Sequence, residues 1–431
     1  MASRSPELEV WLHGRHLATL RERAAFRYHL GFTEEALDEY GEGARILSLA
    51  IPVSRSPVED HRTDPTTRPV SAFLEGLLPE GNLRAQIATV ARVAATDKMA
   101  LLRQVGAECA GAVQFLPAGQ APTAGHVRPL DQTEVDAIVE DLPIYHLPHG
   151  AAVQASLAGI QDKVLLTALS DGGWGWPEDG AASTHLIKPQ PASGNVLDRL
   201  IEAEDWAMRV AAAAGLDAAR TRLTTFGERP AIVVTRYDRT AEGHRRHQED
   251  FCQALGLDPQ AKYESPAERE TYGAARLRRL TSLAAVRSTD PDAFRRQLLS
   301  FVTFNAVIGN GDAHSKNYSL LLGTQGEVTL APLYDAAPVM FLAARFQNTG
   351  QLINGRTRIP AVSVADLAAE GASWGMSASR AASTVRSVID STWDAVHATP
   401  LPAGIERVLP QLENLWATRS WRVNEQATRR A

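Results

Sequence analysis

Cysteine is almost missing from this chain: Cys109 and Cys252 are the only two in 431 residues. That count argues against a disulfide scaffold or a cysteine-based zinc site and suits a reducing cytoplasm. No apolar run reaches the length of a membrane span, so no membrane partner is expected. The opening Met-Ala-Ser-Arg-Ser-Pro-Glu lacks the apolar core of a leader peptide, which adds to the expectation of a cytoplasmic protein. An excess of positive charge is also lacking. Lys and Arg total 44 against 50 Asp and Glu, a net charge of −6 that excludes bulk polyanion binding but allows a local basic patch. No solenoid-type repeat is present. What is there is ordinary for a globular protein, 44% hydrophobic and 22% charged, and long enough for two or three domains.

Residues 1–120 read as a separate α+β module. Glu9-Val-Trp-Leu-His13 and Arg15-His-Leu-Ala-Thr19 predict a hairpin turning at Gly14, and Ile46 to Val53 another strand. Arg55 to Pro69 reads as a loop, Phe73 to Pro79 and Leu101 to Val105 as helices, and Gly111 to Leu116 as a closing strand. Five prolines between 117 and 148 predict a linker over 121–150 around one short helix, Thr133 to Glu140. Strand patterns follow at Lys163 to Leu169, Thr184 to Lys188 and Ala231 to Thr235, with a helix over Val196 to Ala214 between the last two. These define a small core over 151–250. From 251 to 431 the pattern is mostly helical, including Phe294 to Val307 stopped by Gly309. Strand-rich sequence followed by helix-rich sequence implies an α+β class.

The richest chemistry lies in Gly309-Asn-Gly-Asp-Ala-His-Ser-Lys-Asn317. Asp312 and Asn317 stand five positions apart, the D-x-x-x-x-N spacing of a phosphotransferase loop in which Asp handles the hydroxyl proton and Asn holds Mg²⁺. Asp335 follows an apolar run, and two carboxylates with an amide are hard oxygen ligands suited to Mg²⁺ beside nucleotide phosphates. The same residues could serve only to cap a turn through Asn310 and Asp312. His314 has no companion His four residues on and no cysteine cluster, so a structural or phosphate-contacting role is expected rather than a metal ligand.

Weaker signals surround this loop. Ser156, Gly159 and Lys163 could shape a loop whose backbone N–H groups approach phosphates, although the G-x-x-x-x-G-K-[ST] and G-x-G-x-x-G patterns are both missing. Lys188 ends a strand and could neutralise phosphate charge or simply be solvated. In the following helix Glu204 falls on the apolar stripe and needs a cation, for which Lys188 is a candidate. Asp198, Glu202, Asp205 and Arg209 fall on the polar face. Thr235-Arg-Tyr-Asp-Arg239 leaves a strand as either an adenine-binding connector or a plain surface loop. His244, His247 and the N-terminal histidines read as surface residues.

Taken together, several motifs resemble HipA-type serine/threonine kinases, the toxins of bacterial HipBA toxin–antitoxin modules. They are Ser156 to Lys163, Ile187-Lys-Pro189, Arg236-Tyr-Asp-Arg239, Gln248 to Gly256 with Lys262-Tyr-Glu264, Gly311 to Asn317, and Leu330-Ala-Pro-Leu-Tyr-Asp335. Phe73 to Glu80 and Gly106 to Val113 extend the resemblance into the N-terminal module. It implies a two-lobed kinase fold of phosphatidylinositol-kinase type, with an N-terminal α/β subdomain and a mostly helical C-terminal lobe.

The resemblance further implies ATP and Mg²⁺ as cofactors and a set of roles. Asp312 would be the catalytic base, and Asn317 and Asp335 would hold Mg²⁺. Lys188 would contact the ATP phosphates. Ala158, Gly159, Ile160, Gln161, Asp162 and Lys163 would line the nucleotide, together with His314, Lys316 and Tyr334. Thr235, Arg236 and Tyr237 would form the adenine connector. Ser156 matches an autophosphorylated serine. The implied partners are a HipB-like helix-turn-helix antitoxin, operator DNA through that complex, and a protein substrate such as an aminoacyl-tRNA synthetase, glutamyl-tRNA synthetase being the best-known case. Two rival readings stand beside this one. The Gly-Asp-x-His-x-x-Asn order also resembles lipid kinases, and a non-catalytic corepressor binding an antitoxin and operator DNA would need no phosphoryl transfer.

Overall fold

A computed structural model describes residues 7–24, 27–60, 68–142, 162–191, 197–240, 242–419 and 421. Contacts divide the chain into two compact units, and neither is continuous in sequence. The first comprises residues 1–189, 224–261 and 319–328, and the second comprises 190–223, 262–318 and 329–431. Both carry strands and helices, so the class is α+β.

The first unit holds a five-stranded sheet in the order Val58–Glu59, Arg27–Phe32, Arg15–Ala24, Glu7–Leu12, Val113–Pro117. The hairpin expected around Gly14 is its centre. Gly14 takes a positive φ of 76°, and its neighbour His13 is left-handed as well, at 51°. Alternate residues Leu8, Val10 and Leu12 point inward onto the helices Pro69–Leu77 and Lys98–Val105. The expected strand at 46–53 is not one. It forms a tight turn with a single bridge, Ser48 to Ile51, and its apolar residues pack into the core without a strand partner.

A six-stranded sheet follows in the order Thr221–Phe226, Arg229–Thr235, His185–Pro189, Val164–Ala168, Trp174–Glu178, His126–Leu130. Its last strand corrects the linker expected at 121–150. His126 to Leu130 pairs antiparallel with Trp174 to Glu178, and Pro129 is tolerated because this is an edge strand. Only then comes the short helix, Gln132–Glu140, with a capping box between Asp131 and Glu134.

The second unit is built on the helix Pro291–Ile308. Asp290 caps it by accepting from the Ala293 N–H at 2.8 Å, Pro291 sits at the first turn, and Gly309 ends it at φ 81°. Such a cap is worth about 1 kcal/mol. The helices Val364–Ser373, Ala378–Ala398 and Val408–Thr418 surround it, and the Trp416 indole donates to the Val307 carbonyl at 2.6 Å. No helix among the described residues is long and apolar enough to cross a membrane.

Candidate active site

The loop after Ile308 depends on two glycines for different reasons. Gly309 is left-handed, and a Cβ there would stand 2.6 Å from the Phe341 ring. Gly311 has ordinary backbone angles, but a Cβ there would fall 1.9 Å from the Phe346 carbonyl oxygen. Only glycine lets the loop lie this close to the segment that follows Asp335.

A relay of amides then fixes Asp312. Asn305 donates to the Tyr318 hydroxyl at 3.0 Å, and Asn310 donates to the Asn305 side chain at 2.8 Å. The Asp312 N–H donates to the Asn310 side-chain oxygen at 3.2 Å. The Asp312 carbonyl accepts from the His314 N–H at 2.7 Å and from the Asn317 side-chain amide at 2.9 Å. The capped turn is thus real, and it orients the Asp312 backbone through partners on both sides.

Asp335 reaches the same place from another direction. Leu333 bridges in parallel to Ala218, with hydrogen bonds to Asp217 and from Ala219, both at 2.8 Å. The chain then turns, Tyr334 donates its hydroxyl to the Lys316 carbonyl at 2.6 Å, and Asp335 adopts a left-handed φ of 56°. A non-glycine residue held there marks a strained position whose surroundings over-determine it.

The electrostatics tie these groups together. The half-buried Asp312 carboxyl is raised above its ordinary pKa, first by burial and further by the Asp335 charge. A hydrogen bond from Tyr263 and the charges of Lys262 and Arg345 oppose that rise. His314 is buried, and burial followed by the Lys262 charge pushes its pKa down to about 3, so the ring is neutral near pH 7. Its Nδ1 has no hydrogen-bond partner among the described residues. Lys316 is also buried.

Lys262, Tyr263 and Glu264, which the sequence marks only as a motif without a role, and Arg276, which it does not mark at all, all come to this loop. Arg276 is fully buried and donates to the Lys262 carbonyl at 2.9 Å, to Ser315 Oγ at 2.7 Å and to Glu268. The Ser315 N–H donates to the same Lys262 carbonyl at 3.0 Å. The Tyr263 hydroxyl donates to Asp312 Oδ1. A buried arginine cannot be anticipated from local pattern. The only available signal was the Lys-Tyr-Glu triplet itself.

The first unit carries other expected residues. Lys188 is 6% exposed on its strand, and Lys163, 7% exposed, immediately precedes the neighbouring strand, where Val164 pairs with Ile187. The fold thus brings two buried lysines to adjacent backbones. Burial raises the Asp162 carboxyl. Thr235 is exposed and Tyr237 bonds Gln248. Arg236 departs from the simple connector. Its N–H is taken by the Thr184 carbonyl, and its guanidinium is buried against Asp238, Glu108, Ser183 and the Cys109 carbonyl. Ser156, Ala158, Gly159, Ile160 and Gln161 lie outside the described residues.

Three surface assignments are corrected. Glu204 is buried as its stripe implies, but Asp205 is buried too, accepting from Arg209 at 2.9 Å and Thr221 at 2.8 Å. His247 is enclosed, its Nε2 at 2.8 Å from the Leu47 carbonyl, and His29 is likewise buried. Packing from distant segments covered all three.

The donor set can be tested against Mg²⁺. Among the described residues no cluster of three or more His, Cys, Asp or Glu could cage a metal alone. Asn317 commits its amide N–H₂ to Asp312, which leaves its oxygen for another partner, and Asp335 adds a carboxylate whose charge is felt at Asp312. One amide oxygen and one or two carboxylates suit an ion that completes its shell with phosphates and water.

Comparison with known proteins adds independent information. Residues 155–398 match the family model of the HipA-like C-terminal domain, and residues 8–116 match that of the HipA N-terminal domain. The chain is 37% identical to the Y4mE protein of Sinorhizobium fredii over 342 residues, 76% of each chain. It is 31% identical to the serine/threonine-protein kinase toxin HipA of Shewanella oneidensis over 290 residues, 64% of each. A solved structure of Shewanella oneidensis HipA with HipB and operator DNA superposes with a TM-score of 0.74 at 26% identity, covering 95% of this chain and 96% of that one.

Proposed function

The chain belongs to the HipA family and is a serine/threonine-protein kinase, and from that premise we propose that it is the toxin of a toxin–antitoxin pair. In this reading it transfers the γ-phosphoryl group of ATP to a hydroxyl on a translation-related protein, such as an aminoacyl-tRNA synthetase. Asp312 accepts the hydroxyl proton as the oxygen attacks phosphorus. Phosphoryl transfer needs little covalent help from the protein and much positioning and charge neutralisation. Asn317 and Asp335 would hold Mg²⁺, which when bound neutralises phosphate charge. Lys188 and Lys163 are buried cations suited to the same phosphates. Lys316, His314 and Tyr334 complete the surroundings of the loop. Thr235 and Tyr237 border the base, Ser156 is the site of self-phosphorylation, and the kinase fold is of two-lobed, phosphatidylinositol-kinase type.

The partners follow by family analogy. The Shewanella structure contains HipA, HipB and operator DNA. We assign this chain a HipB-like helix-turn-helix antitoxin and, through it, operator DNA.

The observation supporting the catalytic reading is the convergence on Asp312. Asn317 bonds its carbonyl, and the Asp335 charge acts on its carboxyl. The test is Asp312→Ala, assayed with radiolabelled ATP and lysate proteins and by growth of expressing cells. Phosphorylation and growth arrest should both vanish while circular dichroism is unchanged. Undiminished labelling would overturn the role of Asp312.

A further inference from the structure

We propose that Tyr263 is a positioning residue for phosphoryl transfer: its hydroxyl holds one oxygen of Asp312 so that the other is presented to the acceptor hydroxyl. The inference rests on the reading of Asp312 as the base. It adds a residue to which neither motif spacing nor family resemblance gave a role.

Tyr263 is held in place through its neighbours in the chain. The residue is 44% exposed, an environment in which a tyrosine normally has freedom to move. Here the backbone is tied down on both sides. The Lys262 carbonyl accepts from Ser315 N–H at 3.0 Å and from Arg276 at 2.9 Å. The Glu264 N–H donates to the Gly350 carbonyl at 3.0 Å. The Glu264 carboxylate accepts from the N–H groups of Arg276 at 2.6 Å and Leu352 at 2.8 Å. The ring itself stands edge-on to His314, with centroids 5.1 Å apart and planes at 80°. Arg276, Ser315 and Glu264 therefore aim a hydroxyl at the Asp312 carboxylate, and Ser315 and His314 belong to the Asp312 loop.

The chemistry of the pair fits the role. The terminal torsion of a carboxylate is broad, and a donor on one oxygen narrows it. A carboxylate has about four lone-pair sites, so a bond to Oδ1 leaves the second oxygen able to accept a proton. Two rotatable bonds make a tyrosine cheap to order, and the pinned backbone lowers that cost further.

Tyr263→Phe retains the ring and removes only the hydroxyl. The assay uses radiolabelled ATP and a mixed serine/threonine peptide library, with kcat and the KM values for ATP and for peptide measured. The expected result is a kcat lower by on the order of 10-fold with unchanged KM values for ATP and for peptide. An unchanged kcat, or a loss that appears only as a raised KM, would reduce Tyr263 to a packing residue and overturn the proposal. A raised kcat would overturn it too, since Tyr263 would then be an obstacle that substrate must displace. Asp312→Asn separates the two levels. If that variant is dead while Tyr263→Phe behaves as wild type, only the role of Tyr263 falls. If Asp312→Asn stays active, the base assignment falls, and the Tyr263 proposal with it.

Discussion

Asn317 donates its side-chain amide to the backbone carbonyl of Asp312, 2.9 Å away and five residues upstream. One end of this amide locks the loop, and in the proposed reading its oxygen would serve Mg²⁺. The lock and the ligand can be separated by substitution.

Asn317→Asp keeps an oxygen ligand but turns a carboxylate oxygen toward the Asp312 carbonyl, where an N–H donor is needed. Activity should fall on the order of 100-fold and should not be restored by raising Mg²⁺. Single-turnover labelling across a Mg²⁺ titration checks this. Full recovery at high Mg²⁺ would assign the residue to the metal alone.

Glu108 anchors a buried cluster in the first unit. It accepts from Ser183 at 2.8 Å, Arg236 at 3.0 Å and Arg239 at 2.9 Å, and it pairs with Arg245. Burial would raise its pKa, but the charges of Arg239, Arg236 and Arg245 hold it below the ordinary value. Among the described residues, Glu108→Gln leaves Asp238 as the one carboxylate paired with Arg236 and Arg239, and a broken buried pair costs about 3–5 kcal/mol. Urea denaturation should show a loss of that size, and a loss below about 1 kcal/mol would be the surface-pair result.

Glu249 gives a pH dependence of known sign. It is fully buried and accepts from the Leu49 N–H at 2.8 Å, and burial raises its pKa from 4.5 to about 8. Between those values the unfolded chain releases a proton that the folded chain keeps, so stability falls as pH rises. His247, lowered from 6.5 to about 4, acts oppositely but only below 6.5. The window from about pH 6.5 to 8 therefore leaves the His247 contribution out. Glu249→Gln should flatten the decline of the denaturation midpoint there, and profiles parallel to wild type would contradict the assignment.

Local relationships were legible in the residues. The strand of Leu8, Val10 and Leu12, the helix stopped by Gly309, and the five-residue step from Asp312 to Asn317 each depend on neighbours in sequence. The edge strand at His126 to Leu130 was obscured because Pro129 and its flanking prolines mimic a linker, while its pairing partner lies some fifty residues on. Asp205 and His247 look polar and exposed in any local window. What buries them comes from elsewhere in the chain.

The sequence by itself determined the class of the fold, the capped and glycine-bounded loop at 309–317, and the chemical types of the groups on it. Only the tertiary structure decided that Tyr263, 49 residues before Asp312, donates to its carboxylate, and that Glu108 meets Arg236 across 128 residues. The physical reason is range. Caps, turns and periodic faces are set by bonds within a few residues. Charge pairing and burial depend on which distant segments fold against one another, and both compact units here are assembled from pieces the chain visits more than once.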